Sequence, residues 1–193
     1  MIIATTKTLR PRDPDDHYPT PPGLIHAVLT PFVQAFERPC ILDIGAGDGV
    51  WGRTARAIWP NATITGAELR PVAPAPEYDV WLRGDFRQHA PSLFDLVIGN
   101  PPYRLAEAAV RDGLSRIYGG GAVVMLLRLA FLEGQARGRG LWRDHRPARV
   151  RVLTRRPSFT GNGKTDATAY AVFEWAASPA RQTQLDWLDW KES

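Results

Sequence analysis

Apolar residues recur along this chain in two rhythms. In "YPTPPGLIHAVLTPFVQAF" the positions Leu24, Ile25, Val28, Leu29, Phe32, Val33 and Phe36 follow helical spacing, so a helix packing one face on a core is expected there. Thr20 is placed to cap it, with Pro21 at its first position. Pro31 should kink the helix or split it. Short apolar runs then alternate with helical patterns. Strands are predicted at "CILDIG", "ATITGAEL", "DVWLRGDF", "FDLVIGN", "GAVVMLLRLAF", "ARVRVLT" and "TAYAVFEW". Between them "VWGRTARAIW" and "LAEAAVRDGLSRIY" read as helices, and "FLEGQARGRGLWRDH" as helix plus loop. Such alternation predicts an α/β protein whose mostly parallel sheet is covered on both faces. Residues 1–17 read as a loosely held arm, 18–178 as a single domain and 179–193 as a tail.

Composition narrows the class. At 44% hydrophobic and 23% charged, the 193 residues suit one globular domain. The lone Cys40 rules out an internal disulfide framework and a cysteine-based zinc site, so no metal is expected. No run reaches the length of a membrane span, and the N-terminus lacks a signal peptide's long apolar region, which together predict a cytoplasmic protein. The histidines His17, His26, His89 and His145 are scattered.

Charge is distributed unevenly. Between Arg137 and Arg156 eight arginines face a lone Asp144, giving +7 in a chain whose total is +4, so the remainder carries −3. Such a run is either a solvated basic face or the footprint of a polyanion. Arginine's forked guanidinium suits phosphate. Arg137, Arg139, Arg143, Arg155, Arg156 and Lys164 are the candidate nucleic-acid contacts.

Chemistry concentrates after the strands, where ligands bind in parallel sheets. "LDIGAGDG" follows the first strand and opens a helix, and its glycines admit a tight turn and close ligand approach. Val50 occupies the place of the third small residue of the dinucleotide fingerprint, which disfavours a nicotinamide enzyme. Glu68 at the end of the second strand suits a ribose diol. Asp85 could accept from an adenine amino group, with Phe86 packing nearby. "GKT" at 163–165 is not a P-loop, because Ser158 stands where a glycine is needed and a strand follows. "DLVIGNPPYR" ends an apolar run in two prolines and an aromatic.

Together "LDIGAGDG", "AEL", "GDF" and "NPPY" resemble the class I S-adenosylmethionine-dependent methyltransferases, in particular those acting on adenine N6 in DNA. "YPTPP" looks like their N-terminal cofactor motif, and "RRPSFTGNGKTDATAYAVFEW" like the late motif that carries a base-stacking aromatic in phage and prophage enzymes. The resemblance covers roughly residues 17–175. It implies a Rossmann-like fold with a seven-stranded, mostly parallel sheet and an antiparallel last strand. It implies S-adenosylmethionine as cofactor, with Tyr18, Thr20, Asp43, Gly45, Ala46, Gly47, Glu68, Leu69, Asp85, Phe86 and Asn100 around it. Asn100, Pro101, Pro102 and Tyr103 would form the catalytic motif.

The aromatic amine of adenine is a poor nucleophile because its lone pair is delocalised. The Asn100 side-chain oxygen and the Pro101 carbonyl, set against its two N–H bonds, would draw the nitrogen towards sp³ geometry. Prolines fix those acceptors in advance. Tyr103 would stack on one face of a flipped base and, by resemblance, Phe159 on the other. Only about fifty residues separate "NPPY" from the late loop, which leaves no separate target-recognition domain and predicts short or relaxed site specificity unless a dimer adds contacts. Other acceptors stay open: adenine in RNA, a glutamine amide in a release factor, or none, in a non-catalytic nucleic-acid-binding subunit.

Overall fold

The computed structural model describes residues 19–89, 92–159 and 168–191. The order is α1 (Pro22–Leu29), β1 (Cys40–Ile44), α2 (Val50–Ile58), β2 (Thr63–Glu68), β3 (Val80–Arg83), β4 (Phe94–Gly99), α3 (Ala106–Ser115), β5 (Ile117–Arg128), α4 (Gln135–Arg139), α5 (Leu141–Asp144), β6 (Arg149–Leu153), β7 (Tyr170–Ala176) and β8 (Gln184–Leu188). The strands form one sheet in the order β3-β2-β1-β4-β5-β7-β6-β8. β1 pairs in parallel with β2 and β4, and β4 with β5; β7 runs antiparallel between β5 and β6.

Alternation of side chains across the strands builds two cores. Ile41, Leu96, Ile98, Val124 and Leu126 pack with α1 and α2 on one face. Leu42, Val97, Val123, Met125 and Leu127 pack with α3 and Leu141 of α5 on the other. The apolar runs are continuous because the central strands are buried on both faces. Among the described residues no helix is long and apolar enough to cross a membrane.

One local expectation changes and one holds. Helix α1 starts at Pro22 with Pro21 as its N-cap, so Thr20 does not cap it. Thr20 turns inward instead, and its hydroxyl accepts from Trp51 Nε1 at 3.1 Å. The helix gives way to a 3-10 turn over Thr30–Phe32, which fits the missing N–H and the ring of Pro31.

Among the described residues the sheet also has eight strands rather than seven. The added one, β8, lies in the segment read as a tail and pairs in parallel with β6. Its side chains gave no apolar run: Leu185 and Trp187 are exposed on this edge strand. Trp190, just beyond it, is buried and donates from Nε1 to the Arg155 carbonyl. The arm at 1–17 lies outside the described residues.

Candidate active site

The strand order reverses at β1, whose neighbours β2 and β4 connect in opposite directions from it. A crevice opens beyond the carboxyl ends of strands at such a switch point. Here it lies between the Gly45–Asp48 turn, Glu68, Leu69, Phe86, Asn100, Pro102 and Thr20 and is partly open to solvent.

Glycine brings the Gly45–Gly49 turn and the "NPPY" segment together. Gly99 has φ 152°, and a Cβ on it would lie 2.4 Å from the Ile44 carbonyl oxygen. Only a bare backbone lets the end of β4 approach β1 so closely. Gly45, at φ +78°, in turn leaves room for the "NPPY" backbone: its Cβ would lie 3.4 Å from Pro101 Cα. The Gly45 and Ala46 amides donate to the Ala67 carbonyl at 2.9 and 3.1 Å, tying the turn to β2.

Two carboxylates behind the turn differ in state. Asp43 is fully buried, and Tyr78 donates its hydroxyl to Oδ2 at 2.6 Å. Oδ1 has no partner among the described residues. Burial pushes the carboxyl up to about 7, against the Tyr78 hydrogen bond and with help from the charges of Glu68 and Asp48. The Tyr78 hydroxyl is itself pushed above its usual range, first by burial and then by Asp43. Burial also raises the Glu68 carboxyl, but hydrogen bonds from Arg70 and Gly47 and the Arg70 charge outweigh it and hold Glu68 below the usual range. Glu68 accepts from the Gly47 amide at 2.7 Å, and from the Arg70 amide and Nε at 2.9 Å each. A carboxylate offers about four lone-pair sites, so Glu68 can take both hydroxyls of a diol only if Arg70 gives one up.

Asn100 donates from Nδ2 to the Thr20 hydroxyl at 3.2 Å. Thr20 thus accepts from both Asn100 and Trp51 and ties the start of α1 to the end of β4. Tyr103 stands at the start of a short 3-10 turn. Its ring centroid lies 6.0 Å from that of Tyr170, and the Arg128 guanidinium sits over it at 4.0 Å.

The remaining candidates divide. Thr20, Gly45, Ala46, Gly47, Glu68, Leu69, Phe86, Asn100 and Pro102 line the cleft. Asp85 does not; its carboxylate instead caps the turn after β3 and pairs with Arg87. Phe159 is placed in the core rather than at the cleft, 5 % exposed and edge-on to Tyr170 at 5.0 Å. Tyr18 and Lys164 lie outside the described residues. Sequence reasoning missed Arg128, Tyr78 and the role of Trp51. An arginine closing the apolar run "VVMLLR" was the available signal for the first.

The basic run is not one surface. Arg155 and Arg156 are exposed beyond the carboxyl end of β6, on the cleft side of the sheet. Arg137 donates to the Phe131 carbonyl and stacks on its ring at 4.7 Å. Arg143 pairs with Asp144 in α5, which ends at His145. The His145 carbonyl binds Trp175 near the end of antiparallel β7, which puts Arg143 towards the opposite end of the sheet. Arg149 pairs with Asp186, and buried Arg151 pairs with Glu174 and donates to the Val28 carbonyl. Desolvation makes unpaired buried arginine costly, which explains why β7 and α1 both supply partners to Arg151.

No protein-family model matches the sequence, and neither does any curated protein. Solved structures do resemble it. TrmN from Thermus thermophilus superposes with a TM-score of 0.57 at 21% identity, over 80% of this chain and 48% of its own. Protein Atu636 from Agrobacterium tumefaciens, a predicted O-methyltransferase, gives 0.61 at 21%, over 87% and 86%. The M protein of the type I restriction enzyme EcoKI gives 0.59 at 15%, over 83% and 44%. The chain therefore spans less than half of TrmN and of the EcoKI M protein, and most of Atu636. Together with the strand order and the cleft at its switch point, these likenesses show that the chain has the Rossmann-like fold of the class I methyltransferases.

Proposed function

We propose that this protein transfers a methyl group from S-adenosylmethionine to the N6 amino group of adenine in DNA, flipping the base out of the duplex. The observation carrying the proposal is the Asn100 amide, oriented by Thr20 at the lip of the cleft, with Pro101 packed on the glycine turn.

The cleft fits the cofactor on its own chemistry. The Gly45–Gly47 turn leaves a cradle without side chains, ionised Glu68 stands ready for ribose hydroxyls, and Leu69 and Phe86 offer apolar cover. The cofactor supplies an electrophilic methyl carbon on a positively charged sulfur. The chain's part is to aim the amine. Asn100 Oδ1 and the Pro101 carbonyl each accept one N–H, so the nitrogen lone pair points along the C–S bond. Bound there, the cofactor would give up its methyl carbon and keep the C–S electron pair on sulfur, and the methylated nitrogen would lose its extra proton to water. No titrating base is needed. Holding the two reactants in line is worth up to about 7–11 kcal/mol. The exposed Arg155 and Arg156 on the cleft side supply phosphate contacts. The likeness to an M protein of a type I restriction enzyme agrees with DNA as the acceptor.

The test is transfer of isotopically labelled methyl groups to duplex DNA, single-stranded DNA, structured RNA and a release factor, with nucleosides and peptides read by mass spectrometry. Labelled N6-methyladenine in DNA, abolished by Asn100→Ala with cofactor affinity largely kept, is the expected result. Label confined to RNA or to glutamine would overturn the acceptor. Near-normal turnover by Asn100→Ala would overturn the mechanism.

A further inference from the structure

The Glu68 carboxylate reaches the cleft with most of its acceptor sites already filled. Oε1 accepts from the backbone amide and from Nε of Arg70, at 2.9 Å each, and Oε2 accepts from the Gly47 amide at 2.7 Å. A carboxylate has about four such sites, roughly two to an oxygen. Oε1 is therefore full, and Oε2 keeps one opening. A ribose diol brings two hydroxyl donors. The first can take the opening on Oε2 without disturbing the protein. The second must displace the Arg70 side chain from Oε1, which exchanges one hydrogen bond to a charged group for another and gains little. The Glu68 side chain is only 6 % exposed, and a carboxylate so buried is costly to leave without its cation. Arg70 does not itself line the cleft, so it acts on a ligand through Glu68.

We propose that Arg70 is a positioning residue that sets how the cleft reads ribose: it fills one Glu68 oxygen, so that one ribose hydroxyl is read and the other is not. The inference rests on the reading of this cleft as the S-adenosylmethionine site and is independent of which acceptor is methylated. Without the Arg70 side chain, Oε1 regains a free site for the second hydroxyl, and both hydroxyls contribute to affinity.

The test is calorimetric binding of S-adenosylhomocysteine and its 2′-deoxy and 3′-deoxy forms to the full chain, with no acceptor present. A pH of about 8 keeps Glu68 ionised when the Arg70 charge is removed. In wild type one deoxy form should bind within about twofold of the parent. Arg70→Ala should bind the parent more tightly than wild type does. It should lose about tenfold or more with that same deoxy form, the worth of a hydrogen bond to a charged group. The other deoxy form lacks the hydroxyl on Oε2 and should lose about tenfold in both proteins. Arg70→Met keeps the length of the side chain without its donors. It should repeat the alanine pattern, and it serves if the alanine variant fails to fold. Loss of packing would instead weaken all three ligands by the same factor. That outcome, or a wild type that already loses about tenfold on each deoxy form, would overturn this proposal alone. A wild type that binds none of the three ligands would overturn the cofactor reading and this proposal with it, before any variant is compared.

Discussion

The Thr20 hydroxyl accepts from Asn100 Nδ2 at 3.2 Å and from Trp51 Nε1 at 3.1 Å, joining residues 80 and 31 positions away in the chain. A hydroxyl has two acceptor lone pairs, and Thr20 uses both on side chains of different elements. With its NH₂ so held, the Asn100 amide turns its oxygen away from Thr20. Thr20→Val removes the acceptor while keeping the shape. It should lower the methyl-transfer kcat about 10- to 100-fold, from loss of about 1.4–2.7 kcal/mol of alignment. It should also destabilise the fold by about 1–3 kcal/mol, because Trp51 loses its partner. Thr20→Ser should restore both. Single-turnover kinetics and urea unfolding of the two variants measure this.

Asp43 links the cleft to pH. Its carboxyl titrates near 4 in an unfolded chain and at about 7 in the fold, chiefly through burial. Between those values the folded state binds more protons than the unfolded one, so stability declines as pH rises through this window and levels off above about 7. Asp43→Asn can still accept from Tyr78 but does not titrate. The variant should be more stable than wild type at about pH 8, by at most about 3–4 kcal/mol, and the gap should shrink markedly at about pH 5. Urea unfolding at the two pH values reads the difference. A constant gap would place the titration elsewhere.

Trp190 anchors the C-terminal strand. It is 3 % exposed, whereas Trp187 on the adjoining edge strand is 67 % exposed. Trp190→Ala should cost about 3–5 kcal/mol of stability, while Trp187→Ala should stay within about 0.5 kcal/mol. Equal effects in chemical denaturation would mean that the segment past β7 adds no core.

Much of this was legible in the chain. Helical spacing at Leu24–Leu29 and the runs "CILDI", "FDLVIG" and "VVMLL" reported elements buried on one or both sides, because hydrophobic burial leaves its period in the sequence, whereas the same spacing at Val33–Phe36 lies beyond the helix. "DIGAG", Glu68 and "NPPY" each sit where a parallel strand ends, and residues of all three line one cleft. Tertiary structure alone decided the partners. β8 is held by backbone hydrogen bonds to β6 and shows exposed Leu185 and Trp187, so no apolar pattern announced it. The arginine run looks uniform as a sequence. Folding pairs Arg149 and Arg151 with acids on other strands and leaves Arg155 and Arg156 exposed. Thr20 reads as a helix cap because local signals cannot contain a residue 80 positions away. Periodicity records which side chains leave water; which polar groups then satisfy one another is settled only when the sheet brings distant strands to one edge.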